Sequence, residues 1–148
     1  MTEYFKLTDV ISFLEKRDFS QFRFKEGCAC ICTKETFEIF IEAPDNGITE
    51  ENAARIIDVL SNLDECIEKG HDWLRKLDIE EIEKYYHKLD QMFEVDGMYF
   101  GKLGLGHDPN PIIDGFSIDF YVHYDPCRYT VKYHYKGKRP FAVQEWVW

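Results

Sequence analysis

Three cysteines stand at alternate positions, Cys28, Cys30 and Cys32. On an extended strand alternate side chains share a face, so three thiols there offer themselves to one soft metal ion. Structural zinc sites draw instead on pairs of ligands spaced two to four residues apart, with a second pair in reach. A Cys-x-Cys-x-Cys run on a flat strand splays its sulfurs, and no matching His/Cys pair accompanies it. The expectation is therefore three small, buried apolar side chains lining a sheet, with no metal and no cofactor. The five histidines are His71, His87, His107, His123 and His134, and no two have the i, i+4 spacing of a helical zinc motif. His123 and His134 fall on polar positions of two alternating stretches. A cleft with His123 as base and Asp119 or Asp125 orienting it is the enzymatic reading, set against a solvated outer sheet face. Gly101, Gly104 and Gly106 form a Gly-x-x-Gly-x-Gly run. A phosphate loop must feed a helix N-terminus, whereas this run is followed by His-Asp-Pro-Asn-Pro, the composition of a turn. Asp64, Glu65 and Glu68 lack the loop that wraps calcium and read as helix surface.

The elements that must position these residues follow from periodicity. Leu7, Val10, Ile11 and Leu14 make a helical stripe, with Thr8 as the expected N-cap and an end near Arg17–Asp18. A hairpin follows, with Phe22, Phe24, Cys28, Cys30 and Cys32 at one parity. Its second strand carries Phe37, Ile39, Ile41 and Ala43. A long helical region is expected from Thr49 to about Leu77, with Gly70 bending or dividing it, and a further helix from about Ile79 to Met92. Strands are expected over Met98–Leu105, over the alternating Phe116, Ile118, Phe120, Val122 and Tyr124, and over Tyr129, Val131, Tyr133 and Tyr135. Gly106–Pro111 reads as loop and Phe141–Trp148 as a final strand. Pairing Pro126 with Tyr129 places Val122 opposite Tyr133, Asp119 opposite Lys136, and His134 near Tyr121. The order predicts a single α+β domain over residues 1–148, a mainly antiparallel sheet covered on one face by a long helical segment.

Composition narrows the function. The 148 residues carry 18 Lys+Arg against 28 Asp+Glu, a formal charge of −10. That balance argues against nucleic acid as a partner, because phosphate attraction needs a basic surplus. With 45% hydrophobic and 16% aromatic residues the chain can bury a core. No apolar run approaches the ~20 residues of a membrane span. Asp9, Glu15 and Asp18 interrupt any leader-like stretch, and five cysteines are an odd count, so free thiols in a reducing cytoplasm are expected. Charge placement is the strongest functional signal. Residues 34–96 hold 18 acidic and 7 basic side chains, while the rest of the chain is nearly balanced. Asp64, Glu65, Glu68, Asp72, Asp78, Glu80, Glu81 and Glu83 are predicted to form an acidic surface that steers a basic partner. Trp146 and Trp148 share a strand face and are candidate anchors for the same partner.

Three segments carry a resemblance: Ile48–Ile67, opening Ile-Thr-Glu-Glu-Asn; Phe-Gly-Lys-Leu-Gly-Leu at 100–105; and Tyr-Thr-Val-Lys-Tyr-His-Tyr-Lys-Gly-Lys-Arg-Pro-Phe at 129–141. In these the chain resembles small acidic bacterial immunity proteins of secreted toxin systems. The resemblance implies a cytoplasmic, non-catalytic inhibitor that binds one cognate toxin domain; the acidic surface adds a basic partner whose active cleft it occludes, and the chain is expected to be a monomer or homodimer. The alternatives are a small enzyme or ligand-binding domain using the polar sheet face around His123 and His134, or a homo-oligomeric adaptor paired through the C-terminal aromatic strand.

Overall fold

Alternation of large apolar and polar residues between 116 and 133 builds the centre of the sheet: Phe116, Ile118, Phe120, Val131 and Tyr133 are fully buried. A computed structural model describes residues 4–34, 37–44, 47–76, 93–105, 108–122 and 127–147. In chain order these form β1 (Tyr4–Phe5), α1 (Leu7–Glu15), β2 (Arg23–Lys25), β3 (Cys28–Thr33), β4 (Glu38–Glu42), α2 (Glu50–Ser61), α3 (Leu63–Leu74), β5 (Phe93–Leu105), β6 (Asp108–Val122), β7 (Cys127–His134) and β8 (Arg139–Val147). The expected helix over 79–92 lies outside the described residues.

The strands make one eight-stranded sheet in the order β1-β3-β4-β5-β6-β7-β8, with β2 also on β3. It is mixed. β1 pairs with β3 and β4 with β5 in parallel, while the remaining pairs are antiparallel. The parallel β4–β5 joint departs from the expected antiparallel sheet for a simple reason. Between these strands the chain passes through α2 and α3, and a crossover of that length lets a strand return in the same direction. Paired residues share a face, so Ala29, Ile31, Ile39, Ile41, Met98, Phe100, Phe116, Ile118, Phe120, Val131 and Tyr133 line one side of the sheet, and the apolar sides of all three helices pack there.

Several local expectations are corrected. The cap of α1 is Lys6, not Thr8; its backbone N–H donates to the Asp9 carboxylate at 3.3 Å. The long helical segment is two helices, and the break falls at Asn62 rather than Gly70. The Asn62 side-chain amide donates to the Asp58 carbonyl at 2.8 Å, satisfying an end of α2 that would otherwise continue. The start of α2 is as expected: the Thr49 hydroxyl accepts from the Asn52 N–H at 3.2 Å. Strand β5 begins at Phe93, and β6 at Asp108, so Asp108–Pro111 are strand where a loop was expected. The β6–β7 hairpin is antiparallel as predicted, but its register differs. Phe120 lies opposite Tyr129, Phe116 opposite Tyr133 and Asp119 opposite Thr130, not Lys136. The slip is an even number of residues, so apolar still meets apolar.

Candidate partner-binding surface

The exposed side of α3 carries four of the acidic residues that the sequence singled out. Asp64, Glu65, Glu68 and Asp72 are all exposed, while Leu63, Cys66, Gly70, His71 and Leu74 face inward. This is the helical repeat acting on a chain whose every third or fourth residue is apolar. Glu65 pairs with Lys69 at 3.0 Å, and Asp72 with Arg75. Asp58 is held by Lys138 at 2.9 Å, and Glu51 by Arg55 at 2.8 Å. Asp64 and Glu68 have no ion-pair partner among the described residues. Asp64 and Glu65 occupy the first turn of α3, where negative charge favours the helix. Asp78, Glu80, Glu81, Glu83 and Trp148 lie outside the described residues. Trp146 stands in β8 opposite Arg128.

The first turn of α3 borders a groove of about 560 Å³ between the α2–α3 junction, the start of α1 and the start of β5. Its floor is Phe37, Leu60 and Leu63, all nearly buried. The half-buried Leu7, Ile67 and Val95 form its walls, and the exposed Asp64, Glu65 and Glu94 its rim. Phe37 is fixed by Thr33, a buried residue whose hydroxyl and N–H both donate to the Phe37 carbonyl at 2.9 Å. On the far side of Phe37 a second cleft of about 620 Å³ contains Tyr4, Cys32, Lys34, Glu38 and Asp96. Its carboxylates have cations nearby: Asp96 pairs with Arg128, and Glu38 lies 3.9 Å from Arg23.

The sheet face opposite the helices is polar. Here the cysteines depart from expectation: Ala29 and Ile31 face the core, whereas Cys28, Cys30 and Cys32 lie on the opposite face beside Glu42, Phe40 and Glu38. Cys28 and Cys30 are half-buried and Cys32 is buried. Burial pushes all three thiols above their ordinary pKa, so they are protonated at neutral pH. The Cys32 sulfur accepts a long contact of 3.8 Å from Arg23. Among the described residues no three His, Cys, Asp or Glu side chains converge on one point. Further along this face, Ser117, Thr130, Lys132 and Gln144 form a row of buried polar side chains. Lys132 donates to the Gly104 carbonyl at 2.8 Å, and burial lowers its pKa. Thr130 donates to Asp119, whose carboxyl is nonetheless raised by burial.

The expected nearness of His134 to Tyr121 is not found. His134 sits opposite Gly115, with its ring 4.5 Å from that of Phe141, while Tyr121 sits opposite Arg128. His123 lies outside the described residues. His71 is buried near Phe120, whereas the adjacent Asp72 is exposed. Sequence reasoning missed Glu94, Leu7 and Phe37 as groove residues. Glu94 was legible only as part of the acidic middle, and Leu7 and Phe37 only as core.

Comparison with protein-family models, with curated proteins and with solved structures gives no significant match.

Proposed function

We propose that this chain is a protein-binding inhibitor of the immunity type, one that neutralises a basic toxin domain by occluding its active site. The observation that carries the reading is the exposed acidic side of α3, where Asp64 and Glu68 have no ion-pair partner among the described residues, on a chain of net charge −10. Exposed ion pairs are weak, so the pairing of Glu65 with Lys69 and of Asp72 with Arg75 leaves this row free to meet a cationic partner. Such a row raises the encounter rate with a basic protein by ~10–10³-fold at low salt. The action is stoichiometric and takes place in the cytoplasm, where the thiols stay reduced. The resemblance of Ile48–Ile67, Phe100–Leu105 and Tyr129–Phe141 to immunity proteins supports the same reading.

The test is affinity capture with the tagged chain at low and high salt, followed by an assay of what is captured. The expected result is one basic protein, bound one to one and more slowly at high salt, whose toxicity to cells lacking this chain disappears when the chain is supplied. A captured protein whose activity is untouched by saturating chain overturns the reading, as does the absence of any stoichiometric partner.

A further inference from the structure

Resting on that reading, we infer that the partner docks through the groove beside Phe37, and that the docking element is a cationic segment bearing aliphatic side chains. The groove combines two features found together nowhere else among the described clefts. Its floor and walls are apolar, from Leu60 and Leu63 to Leu7, Ile67 and Val95. Its rim carries Asp64, Glu94 and Glu65, the last of them paired with Lys69, and none of the described lining residues is cationic. The second cleft beyond Phe37 differs on this point, since Lys34 lines it. A crevice of about 260 Å³ by Glu42 and Asp114 differs likewise, since Lys102 lines it.

The chemistry follows from this layout. An aliphatic side chain entering the groove removes Leu7, Ile67 and Val95 from water together with itself, which supplies affinity. Lysines or arginines on either side meet the rim carboxylates, which supplies register and a fast encounter. An acidic or purely polar segment has neither, and its charge is repelled. The proposal also divides the acidic surface. Asp64 and Glu65 border the groove, whereas Glu68 and Asp72, one and two turns further along α3, do not line it. The second pair contributes to the long-range field alone.

The experiment uses the intact chain and two synthetic peptides of about 16 residues, long enough for several helical turns. One has lysines on one side and leucines on the other. The second has the same lysines with glutamine in place of every leucine. Binding is read by fluorescence anisotropy at physiological salt, where the screening length of about 8 Å suppresses distant charge. The Lys/Leu peptide is expected to bind at least about tenfold more tightly than the Lys/Gln peptide. The Asp64→Lys/Glu65→Lys chain is expected to lose about tenfold, and Ile67→Ser a similar amount, while Glu68→Lys/Asp72→Lys, with the same change of charge, loses much less. Circular dichroism of each variant establishes that it is folded, because reversal at the first turn of α3 removes a favourable helix-end interaction. Equal binding of the two peptides overturns the inference, as do equal losses from the two charge reversals. So does a homodimer in sedimentation that Asp64→Lys/Glu65→Lys dissociates, since a second copy would then be the occupant. If a toxin is captured and neutralised equally well by Asp64→Lys/Glu65→Lys, the groove is wrong and the inhibitor reading stands. If no toxin is captured, the inhibitor reading fails whatever the peptides do.

Discussion

The Tyr133 hydroxyl donates a 2.6 Å hydrogen bond to the Cys66 carbonyl, joining β7 to α3 across 67 residues of chain. Tyr133 and Cys66 are fully buried, so this bond has no competition from water. One helical turn further along α3, Gly70 faces the same hydroxyl. A Cβ built at Gly70 would stand 2.4 Å from the Tyr133 oxygen and 3.0 Å from the Phe120 ring. The missing side chain lets the helix lie directly on the β6–β7 pair, and the geometry explains why glycine is kept inside a helix it weakens by roughly 0.5–1 kcal/mol.

That contact makes a double-mutant prediction. Gly70→Ala is expected to destabilise by about 2–3 kcal/mol through overpacking, although alanine is the better helix former. Tyr133→Phe is expected to cost about 1 kcal/mol for the lost hydrogen bond. The two together are expected to cost less than their sum, because removing the hydroxyl removes the nearer of the two clashes. Urea denaturation of the four proteins measures it. Strict additivity would mean that Phe120, not Tyr133, sets the spacing.

Asp119 gives a pH prediction. Burial raises its carboxyl pKa by more than the Thr130 hydroxyl and the Arg128 guanidinium lower it. A carboxyl with a raised folded pKa favours folding fully below its unfolded value, and that contribution is lost as pH rises through the folded value. At pH 7 the ionised Asp119 is therefore a net cost. Asp119→Asn retains an oxygen for Thr130 and removes the charge. The variant is expected to melt higher than the parent at pH 7, with the gap closing as the pH falls toward about 4, the ordinary carboxylate range. A gap that widens on acidification would contradict this sign.

The cysteines should divide by position. Cys28 and Cys30 are half-buried on the polar sheet face, while Cys66 lies in the core with its thiol pushed up to about 11. In the folded chain, iodoacetamide labelling followed by peptide mass mapping is expected to modify Cys28 and Cys30 and spare Cys66. All three carry raised pKa values, so labelling should be slow at pH 7 and accelerate steadily above pH 8. Rapid labelling at neutral pH would show that the Cys28–Cys30 pair is held as thiolate.

Much of the fold was legible because its signals are periodic. The alternation of Phe116, Ile118 and Phe120 predicts an inward row whatever lies beneath it, and the Thr49-Glu50-Glu51 start marks α2 by capping chemistry alone. The acidic character of α3 was likewise legible, since Asp64, Glu65, Glu68 and Asp72 fall between its apolar positions.

What the amino-acid order left open is whatever two arrangements satisfy equally. The β6–β7 hairpin keeps its apolar pairs under an even slip, so alternation alone does not distinguish Asp119 opposite Lys136 from Asp119 opposite Thr130; only the whole sheet selects the second. Along β3 both parities consist of small apolar side chains, Cys28, Cys30 and Cys32 on one and Ala29 and Ile31 on the other. Helix packing against the Ala/Ile side decided which became core. The groove beside Phe37 is a property of no segment. Leu7, Leu63 and Val95 come from three separate elements and Phe37 from the connection before β4, and local patterning places each as buried or half-buried without saying which faces meet. Sequence by itself determined that the chain is acidic, α+β and amphipathic in its helices, because those follow from composition and period. Tertiary structure decided that the acids of α3 border an apolar groove, because only the mixed sheet brings the start of β5 beside the α2–α3 junction.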